Sequence, residues 1–325
     1  MDIREIPPLF GIYGECSITP LESGHINSTF RVENDREAYV LQSLNGSVFS
    51  RPDAVMMNIA AIAGAFERSG EKDVLVPAFR SCEGRNYAEY GGEVWRMYRY
   101  AEPEPECRER EKLAGYAFGS FIRVARGTKL IPVIRNFHNF GAYLSRLLSF
   151  EDECDAGNMH PGIFSDLKAL GSELSSVFNG KLPVRTIHGD AKTDNVIIGK
   201  KLTVIDLDTA MESYAAIDFG DLIRSVSKSC KPELDRIGAA ASGFSEGLGG
   251  ALRDDERESL YYGILWVTGE LAARYMIDFI SGEGYFRGKS REQCRCRAEE
   301  LLAQLDGFRK RKNDIKDIIR SSFQG

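Results

Sequence analysis

The sequence predicts an α+β protein with two lobes, a small antiparallel sheet lobe followed by a larger, mainly helical lobe. Between residues 15 and 100, short segments rich in β-branched residues alternate apolar with polar positions and are separated by Gly and Asn. Further along the chain, apolar residues recur with the period of a helix. An acidic, proline-rich segment at 101–106 separates the two patterns. We therefore predict an N-terminal lobe at 1–100 and a C-terminal lobe at 101–325.

The first lobe is predicted to contain five strands and one helix. The strands are expected at 16–21, 28–32, 38–42, 74–79 and 92–100. Arg51-Pro52-Asp53 is typical of a helix start, because proline fits the first turn and an acidic residue is favoured there. The amphipathic helix that follows is expected to run from Ala54 to Arg68.

The second lobe is predicted to be helical, with one hairpin inserted in it. Helices are expected at 110–125, 136–149 and 163–179, and in several segments from residue 216 onward. The hairpin is expected to pair residues 195–198 with residues 202–205 across a short turn that contains Gly199.

Composition and charge narrow the class of protein. Of the 325 residues 43% are hydrophobic and 28% are charged, as in a globular protein. The net charge of −6 argues against a nucleic-acid partner, because phosphate backbones attract basic surfaces. Seven scattered cysteines favour free thiols in a reducing compartment. Residues 1–5 lack the features of a signal peptide, and the most hydrophobic stretch, 260–280, contains charged residues. We therefore expect a cytoplasmic protein with no membrane partner.

The most informative segment is His188-Gly189-Asp190-Ala191-Lys192-Thr193-Asp194-Asn195, followed by Ile205-Asp206-Leu207-Asp208. Asp190 and Asn195 have the spacing of the Asp and Asn in the protein-kinase catalytic loop. Asp206 follows a strand, where a kinase has its metal-binding Asp. A surface hairpin that carries polar residues by chance is the alternative, since Asp and Asn also favour turns. The fixed spacing between two apolar strands favours a kinase-type phosphotransferase.

This chemistry assigns a role to each residue of the segment. Asp190 is expected to orient the hydroxyl group that attacks, and Lys192 to reach the transferred phosphoryl group. Asn195 and Asp206 are expected to hold Mg²⁺ on the phosphates, because carboxylate and amide oxygens are ligands that Mg²⁺ prefers. Asp208 is expected to help with a second metal ion or with the substrate.

The chain resembles the aminoglycoside phosphotransferase/choline kinase superfamily and, within it, the bacterial N-acetylhexosamine 1-kinases. Besides the catalytic loop, the segments that carry the resemblance are Gly24–Thr29, Tyr39–Gln42, Ile205–Thr209, Asp218–Arg224 and Glu270–Tyr275. The resemblance implies a two-lobed, protein-kinase-like fold. It also implies a Mg²⁺-dependent transfer of the γ-phosphoryl group of ATP to the anomeric hydroxyl of an N-acetylhexosamine.

The resemblance places the nucleotide on the first lobe. The loop over its phosphates would contain Gly24, His25, Asn27, Ser28 and Thr29, although turn chemistry alone fits a plain hairpin equally well. Tyr98 and Tyr100 would lie at the hinge beside the adenine, and an aromatic edge strand is the alternative. Kinases have a lysine on the third strand, where this chain has Gln42. Backbone N–H groups, Lys192 and the metal ion would have to compensate.

The resemblance places the sugar beside the helix with Glu270, Arg274 and Asp278 and the segment that follows it. Arg274, Asp278 and Tyr285 would contact the sugar, and His25 would lie above it. Because these charges recur every four residues, an ion ladder on a solvated face is the alternative for this helix.

Four further polar residues are assigned from the sequence. Asp218 and Asp221 would brace the catalytic loop, and a helix cap is the alternative for Asp218. His188 is expected to pack structurally, and His138 is expected to have no functional partner.

Three other functions remain possible from the sequence. The first is another small-molecule kinase of the superfamily, acting on an aminoglycoside, choline, homoserine or a different sugar. The second is a protein kinase, although a D-F-G segment followed by A-P-E is missing. The third is a non-catalytic nucleotide-binding regulator, which only Gln42 suggests and which the complete set of Asp190, Asn195 and Asp206 argues against.

Overall fold

A computed structural model describes residues 2–21, 27–46, 48–80, 82–151, 162–286 and 288–324. The strands are β1 (Ser17–Pro20), β2 (Ser28–Glu33), β3 (Ala38–Leu44), β4 (Val74–Leu75), β5 (Ala88–Tyr90), β6 (Glu93–Arg99), β7 (Arg185–Ile187), β8 (Val196–Ile198), β9 (Leu202–Val204) and β10 (Met211–Ser213). The helices are α1 (Pro52–Ser69), α2 (Arg110–Val124), α3 (Phe140–Leu148), α4 (Ile163–Val177), α5 (Ala215–Val226), α6 (Leu234–Leu248), α7 (Asp254–Ser281), α8 (Arg291–Lys310) and α9 (Lys312–Ser322). The predicted α+β fold with a sheet lobe and a helical lobe is confirmed.

One antiparallel sheet forms the first lobe, with the strand order β1-β2-β3-β6-β5. Successive side chains of a strand point to opposite faces of a sheet. Leu41 of β3 and Met97 of β6 point to one face, where they join a small buried core with residues near the amino terminus. Gln42 and Arg96, which pair directly across these two strands, therefore point to the other face.

The second lobe contains the predicted hairpin, formed by β8 and β9. Its main hydrophobic core also includes α1, whose Phe66 ring lies 6.0 Å from the ring of Phe121. No helix in the described part of the chain combines the length and the apolar character needed to span a membrane.

Two predicted elements differ from the structure. The strand expected at 74–79 is reduced to β4, because Pro77 has no N–H group with which to continue a strand ladder. β4 pairs in parallel with β9 and so belongs to the sheet of the second lobe. The helix expected from residue 136 begins only at Phe140, since Asn136 and His138 have positive φ angles of 58° and 50°.

Glycines allow α2 and α6 to pack with their backbones in contact. A Cβ atom on Gly243 of α6 would lie 1.9 Å from the backbone oxygen of Lys112, and one on Gly115 of α2 would lie 2.2 Å from the oxygen of Ala240. Since backbone atoms cannot yield as a flexible side chain does, any larger residue would force the two helices apart.

We predict that Gly243→Ala lowers the free energy of unfolding by about 2 kcal/mol or more, because overpacked cores typically lose about 1–3 kcal/mol. Gly238→Ala in the same helix is the matched control, since its Cβ atom would come no closer than 4.0 Å to another residue. Helix propensity should make that control about 0.5–1 kcal/mol more stable. Urea unfolding of both variants tests this, and equal effects would contradict the close packing.

Candidate active site

The loop between β7 and β8 brings three of the predicted residues into contact. Oδ2 of Asp190 accepts a hydrogen bond from Lys192 Nζ at 2.7 Å and one from Asn195 Nδ2 at 3.0 Å. The side chain of Asp190 is 27% exposed. Since both bonds fall on Oδ2, Oδ1 is the oxygen that can receive an incoming hydroxyl group.

The surroundings of Asp190 keep it ionised. Burial raises the pKa of Asp190, but the ammonium group of Lys192 and the hydrogen bonds from Lys192 and Asn195 outweigh burial and hold this pKa at about 2. Burial lowers the pKa of Lys192, but the charge of Asp190 raises it above its ordinary value. Such an acidic carboxylate is a weak base, so it suits the orientation of a hydroxyl group and the late acceptance of its proton.

Asp218 braces the catalytic loop, as predicted. Its two carboxylate oxygens accept hydrogen bonds from the backbone N–H groups of His188 at 2.7 Å and Gly189 at 2.8 Å. The alternative of a helix cap is wrong, because the N-cap residue of α5 is Tyr214. Gly189 has a φ angle of 81°, and a Cβ atom there would lie 2.4 Å from the backbone oxygen of Thr209. The loop conformation therefore requires glycine at this position.

His188 has the packing role that was predicted. Its Nδ1 accepts a hydrogen bond from the backbone N–H of Asp190 at 3.2 Å, so Nε2 carries the proton and donates to the backbone oxygen of Ile205 at 2.8 Å. The ring also lies edge-on to Phe118 and Phe121. His188 thus joins the catalytic loop to the segment that contains Asp206.

Asp206 lies two residues after β9, in the left-handed conformation (φ 61°, ψ 54°). The backbone N–H of Ile205 donates to the backbone oxygen of Asn195 at 2.9 Å, so the hairpin holds Asp206 beside the catalytic loop. Burial and the charges of Asp208 and Asp190 raise the pKa of Asp206 to about 7. A bound cation would stabilise these neighbouring carboxylates.

Asn195 and Asp206 fit a Mg²⁺ ion that is bound together with phosphates. Asn195 uses Nδ2 to bind Asp190, which leaves its Oδ1 on the opposite side of the amide. Among the described residues, no group of three or more His, Cys, Asp or Glu side chains has the geometry of a metal site. One amide oxygen and one carboxylate suit Mg²⁺, which proteins commonly hold through one or two carboxylates and the phosphates of the substrate.

The structure gives Asp208 a different role from the metal ligand suggested by the sequence. Its Oδ1 accepts a hydrogen bond from Arg96 Nη1 at 2.5 Å, and its Oδ2 accepts from Arg96 Nη2 at 3.0 Å and from Asn27 Nδ2 at 2.8 Å. The side chains of Asp208 and Arg96 are 1% and 2% exposed. Both carboxylate oxygens are therefore engaged by the first lobe.

The loop predicted to cover the nucleotide is described only in part, since Gly24 and His25 lie outside the described residues. Oδ1 of Asn27 accepts the backbone N–H of Asn45 at 3.0 Å. Thr29 Oγ1 accepts a hydrogen bond from Gln42 Nε2 at 3.1 Å, whereas Ser28 lies exposed at the start of β2.

The two tyrosines predicted for the hinge differ in their surroundings. Tyr98 is buried against Phe79, with 5.0 Å between the ring centroids, and the neighbouring carboxylates Asp206 and Asp208 act on it electrostatically. Burial raises the pKa of Tyr98 far above its ordinary value. Tyr100 packs its ring under the guanidinium group of Arg31.

Arg274 on α7 lies among four aromatic rings. Its guanidinium carbon is 5.0–5.8 Å from the ring centroids of Phe137, Tyr143, Tyr285 and Phe286. Nη2 donates to the hydroxyl group of Tyr285 at 2.6 Å. The Nε atom is buried and has no hydrogen-bond partner among the residues that the structure describes.

Glu270 and Asp278, the other charged residues of this helix, have partners of their own. Trp266 Nε1 donates to Glu270 at 3.0 Å. Asp278 accepts hydrogen bonds from the backbone N–H groups of Tyr285 at 2.8 Å and Phe286 at 3.1 Å. It therefore shapes the segment with Tyr285 and is not free to contact a sugar, which corrects the predicted role. Glu270 and Asp278 are 1% and 4% exposed, and among the described residues neither forms a salt bridge with Arg274, so the alternative of an ion ladder on a solvated face is wrong.

The sequence interpretation missed His138. Its Nε2 lies 2.6 Å from the backbone oxygen of Gly189, and its Nδ1 lies 3.6 Å from Oε1 of Glu270. The expectation that His138 lacks a functional partner is therefore wrong. Because Gly189 precedes Asp190, this contact connects the catalytic loop with the helix that carries Arg274.

Arg224 was also missed. It donates to Asp221 through Nε at 2.8 Å and Nη2 at 2.6 Å, so Asp221 does not hold the loop directly. Burial lowers the pKa of Arg224, but the charges of Asp221 and then Asp190 raise it. Arg224 thus adds positive potential near the carboxylate of Asp190.

Comparison with known proteins identifies a family and several similar folds. A model of the phosphotransferase enzyme family matches residues 17–255. A microcompartment-associated aminopropanol kinase is 14% identical with a TM-score of 0.66, over 95% of this chain and 96% of the other. A choline/ethanolamine kinase family protein from Mesorhizobium loti is also 14% identical with a TM-score of 0.66, over 98% and 96%. The GDP complex of aminoglycoside 2′-phosphotransferase-IIIa is 13% identical with a TM-score of 0.63, over 94% and 96%.

At these identities the solved structures establish a shared kinase-like fold. The family match adds more, because it covers well over half of the chain and includes the whole segment from Asp190 to Asp208. The chain therefore belongs to the phosphotransferase enzyme family and is a phosphotransferase.

Proposed function

We propose that this kinase transfers the γ-phosphoryl group of ATP to the anomeric hydroxyl of an N-acetylhexosamine and so produces a sugar 1-phosphate. The observation that carries the choice of acceptor is the aromatic surround of Arg274. Aromatic rings around a cation are the usual means of binding an ammonium ligand. Here the rings already hold a guanidinium group that belongs to the chain.

The charges near this surround also argue against a cationic acceptor. Glu270 is bound by Trp266 and lies beside His138, while Asp278 is bound by backbone N–H groups. The carboxylate of Glu270 is only 1% exposed and is acted on by the charge of Arg274, and that of Asp278 is occupied, so neither is presented to an ammonium group. A neutral, hydroxyl-rich acceptor suits the site better, because the buried Nε of Arg274 needs an acceptor oxygen.

In the proposed mechanism Oδ1 of Asp190 accepts a hydrogen bond from the anomeric hydroxyl group. The oxygen of the anomeric hydroxyl group bonds to the γ-phosphorus. The bond from the γ-phosphorus to the oxygen that bridges it to the β-phosphate breaks, and ADP leaves. Asp190 accepts the proton late in the reaction, and Lys192 stabilises the charge on the transferred group. Asn195 and Asp206 would hold Mg²⁺, which would neutralise charge on the phosphates.

A coupled assay of ADP release tests the acceptor. N-Acetylglucosamine, N-acetylgalactosamine, galactose, an aminoglycoside, choline and ethanolamine are compared at equal concentration. The proposal expects the highest kcat/KM with one of the two N-acetylhexosamines. A higher kcat/KM with choline, ethanolamine or the aminoglycoside would show that the acceptor is cationic and would contradict the proposed sugar.

Asp190→Asn is predicted to lower kcat by about 10²-fold or more with little change in nucleotide affinity, because the hydroxyl group loses its orienting carboxylate. The matched control is Asp194→Asn, since Asp194 lies in the same loop but is largely exposed. The control should keep its activity. Near-normal turnover in Asp190→Asn would refute the catalytic assignment.

Asp206→Ala is predicted to abolish both Mg²⁺-dependent ATP binding and activity, because the metal ion loses its main anionic ligand. Asn195→Ala should cause a milder loss of the same kind. Titration calorimetry with and without Mg²⁺ measures this. If Asp206→Ala binds Mg-ATP as tightly as the unmodified enzyme, the metal site is elsewhere.

Arg274→Ala is predicted to lower kcat/KM for the sugar by about 10-fold or more, because loss of a charged donor to a polar acceptor costs a few kcal/mol. The affinity for ATP should stay the same. Arg297→Ala is the control, since Arg297 lies on the surface and pairs with Glu300. Melting temperature and sugar KM are measured together. A less stable Arg274→Ala variant with unchanged sugar kinetics would rule out the proposed contact.

A further inference from the structure

We propose that Arg96 contacts the phosphates of the nucleotide and replaces the lysine that kinases have at the position of Gln42. The inference rests on ATP as the proposed co-substrate, and it is independent of which acceptor the enzyme uses. In kinases that lysine lies on the third strand of the sheet lobe and pairs with the α- and β-phosphates. Gln42 lies on the third strand of this sheet and carries no charge.

The register of the sheet places Arg96 next to position 42, where other kinases have the lysine. Arg96 pairs with Gln42 across β6 and β3, and its Nε donates to Gln42 Oε1 at 3.1 Å. Its neighbours Trp95 and Met97 point into the core on the opposite face of the sheet. The guanidinium group of Arg96 therefore reaches the same interlobe space that a lysine at position 42 would reach.

The charges around Arg96 match those expected beside a nucleotide. The charge of Asp206, the proposed metal ligand, is close enough to act on Arg96. Phosphates that bind a metal ion at Asp206 would therefore come close to the guanidinium group. Arginine also suits this role, because its planar set of N–H donors matches the oxygens of a phosphate.

Asp208 has a place in the same arrangement. A buried cation is costly unless it is paired, and the two bonds between Arg96 and Asp208 meet that need when no nucleotide is bound. Nη2 donates one N–H group to Asp208, and no described residue accepts its second N–H group; this N–H group, on a side chain that is 2% exposed without nucleotide, is the donor that a bound phosphate would use. Asp208 thus orients Arg96 as the acidic residue of a kinase orients its lysine.

A purely structural ion pair is the competing explanation, and it makes a different prediction. A buried pair that only joins the lobes can often be replaced by uncharged residues with little loss or even a gain of stability. Such a replacement would change the affinity for ligands with phosphates and for ligands without them to the same extent. The affinity for ATP relative to adenosine therefore distinguishes the two explanations.

The test measures binding of ATP and of adenosine to the full-length protein by calorimetry in the presence of Mg²⁺. The double variant Arg96→Met/Asp208→Asn removes the pair without leaving a buried charge alone. We expect it to bind ATP about 10-fold or more weakly while its adenosine affinity changes less than about twofold, because only the contact with the phosphates is lost. Adding Gln42→Lys to this variant should restore most of the ATP affinity.

Several outcomes would overturn the proposal. One is an equal loss of affinity for ATP and adenosine, and another is no loss for either. A third is a triple variant that binds ATP no better than the double variant. If the double variant does not fold, Arg96→Lys provides the test: lysine keeps the charge but lacks the planar set of donors, so this variant should bind ATP more weakly relative to adenosine, whereas an unchanged ratio would support the purely structural ion pair. Failure of the unmodified protein to bind ATP would instead refute the proposed co-substrate.

Discussion

The two hydrogen bonds that Asp218 accepts from the catalytic loop are the constraint on which the site depends. Asp218 is fully buried, and burial raises its pKa to about 6. The two hydrogen bonds lower this pKa and stabilise the buried carboxylate. Asp218 reaches the loop because α5 packs directly on α7, where a Cβ atom on Gly220 would lie 2.3 Å from the backbone oxygen of Gly263. The same helix α7 carries Arg274. The contact between α5 and α7 therefore fixes the position of the loop with Asp190 relative to Arg274, the residue proposed to contact the acceptor.

Carboxylates outnumber cations among the described side chains around Asp190 and Asp206. Among the described groups, the carboxylates of Asp190, Asp206 and Asp208 face the cations of Lys192 and Arg96. Lys192 pairs with Asp190 and Arg96 pairs with Asp208, so Asp206 is the carboxylate for which the described residues provide no paired cation. Burial and its two acidic neighbours raise the pKa of Asp206 to about 7. A polyphosphate would add more negative charge to this place. The proposed Mg²⁺ therefore offsets charge from the protein as well as from the nucleotide.

The sequence predicted the parts of the site that are local in the chain. Asn195 and Asp206 are joined by one short hairpin, so alternating strands and a turn were enough to place them together. Arg96 and Asp208 are 112 residues apart, and no local pattern indicates that they pair. The available signal was the cross-strand register, which sets Arg96 opposite Gln42. Arg96 was missed because the aromatic residues around it were interpreted only as a hinge beside the adenine or, alternatively, as an aromatic edge strand.

The surround of Arg274 suggests how this fold adapts to acceptors of different charge. Functional sites are carried on shared folds, and one side chain at such a site can decide which ligands it accepts. The rings hold the guanidinium group in place, so little further ordering is needed when it donates to a hydroxyl group. With a small neutral residue at position 274, the same rings would be open to an ammonium group. Under the proposed function, the charge that fills the aromatic surround, more than the fold itself, would select a neutral acceptor.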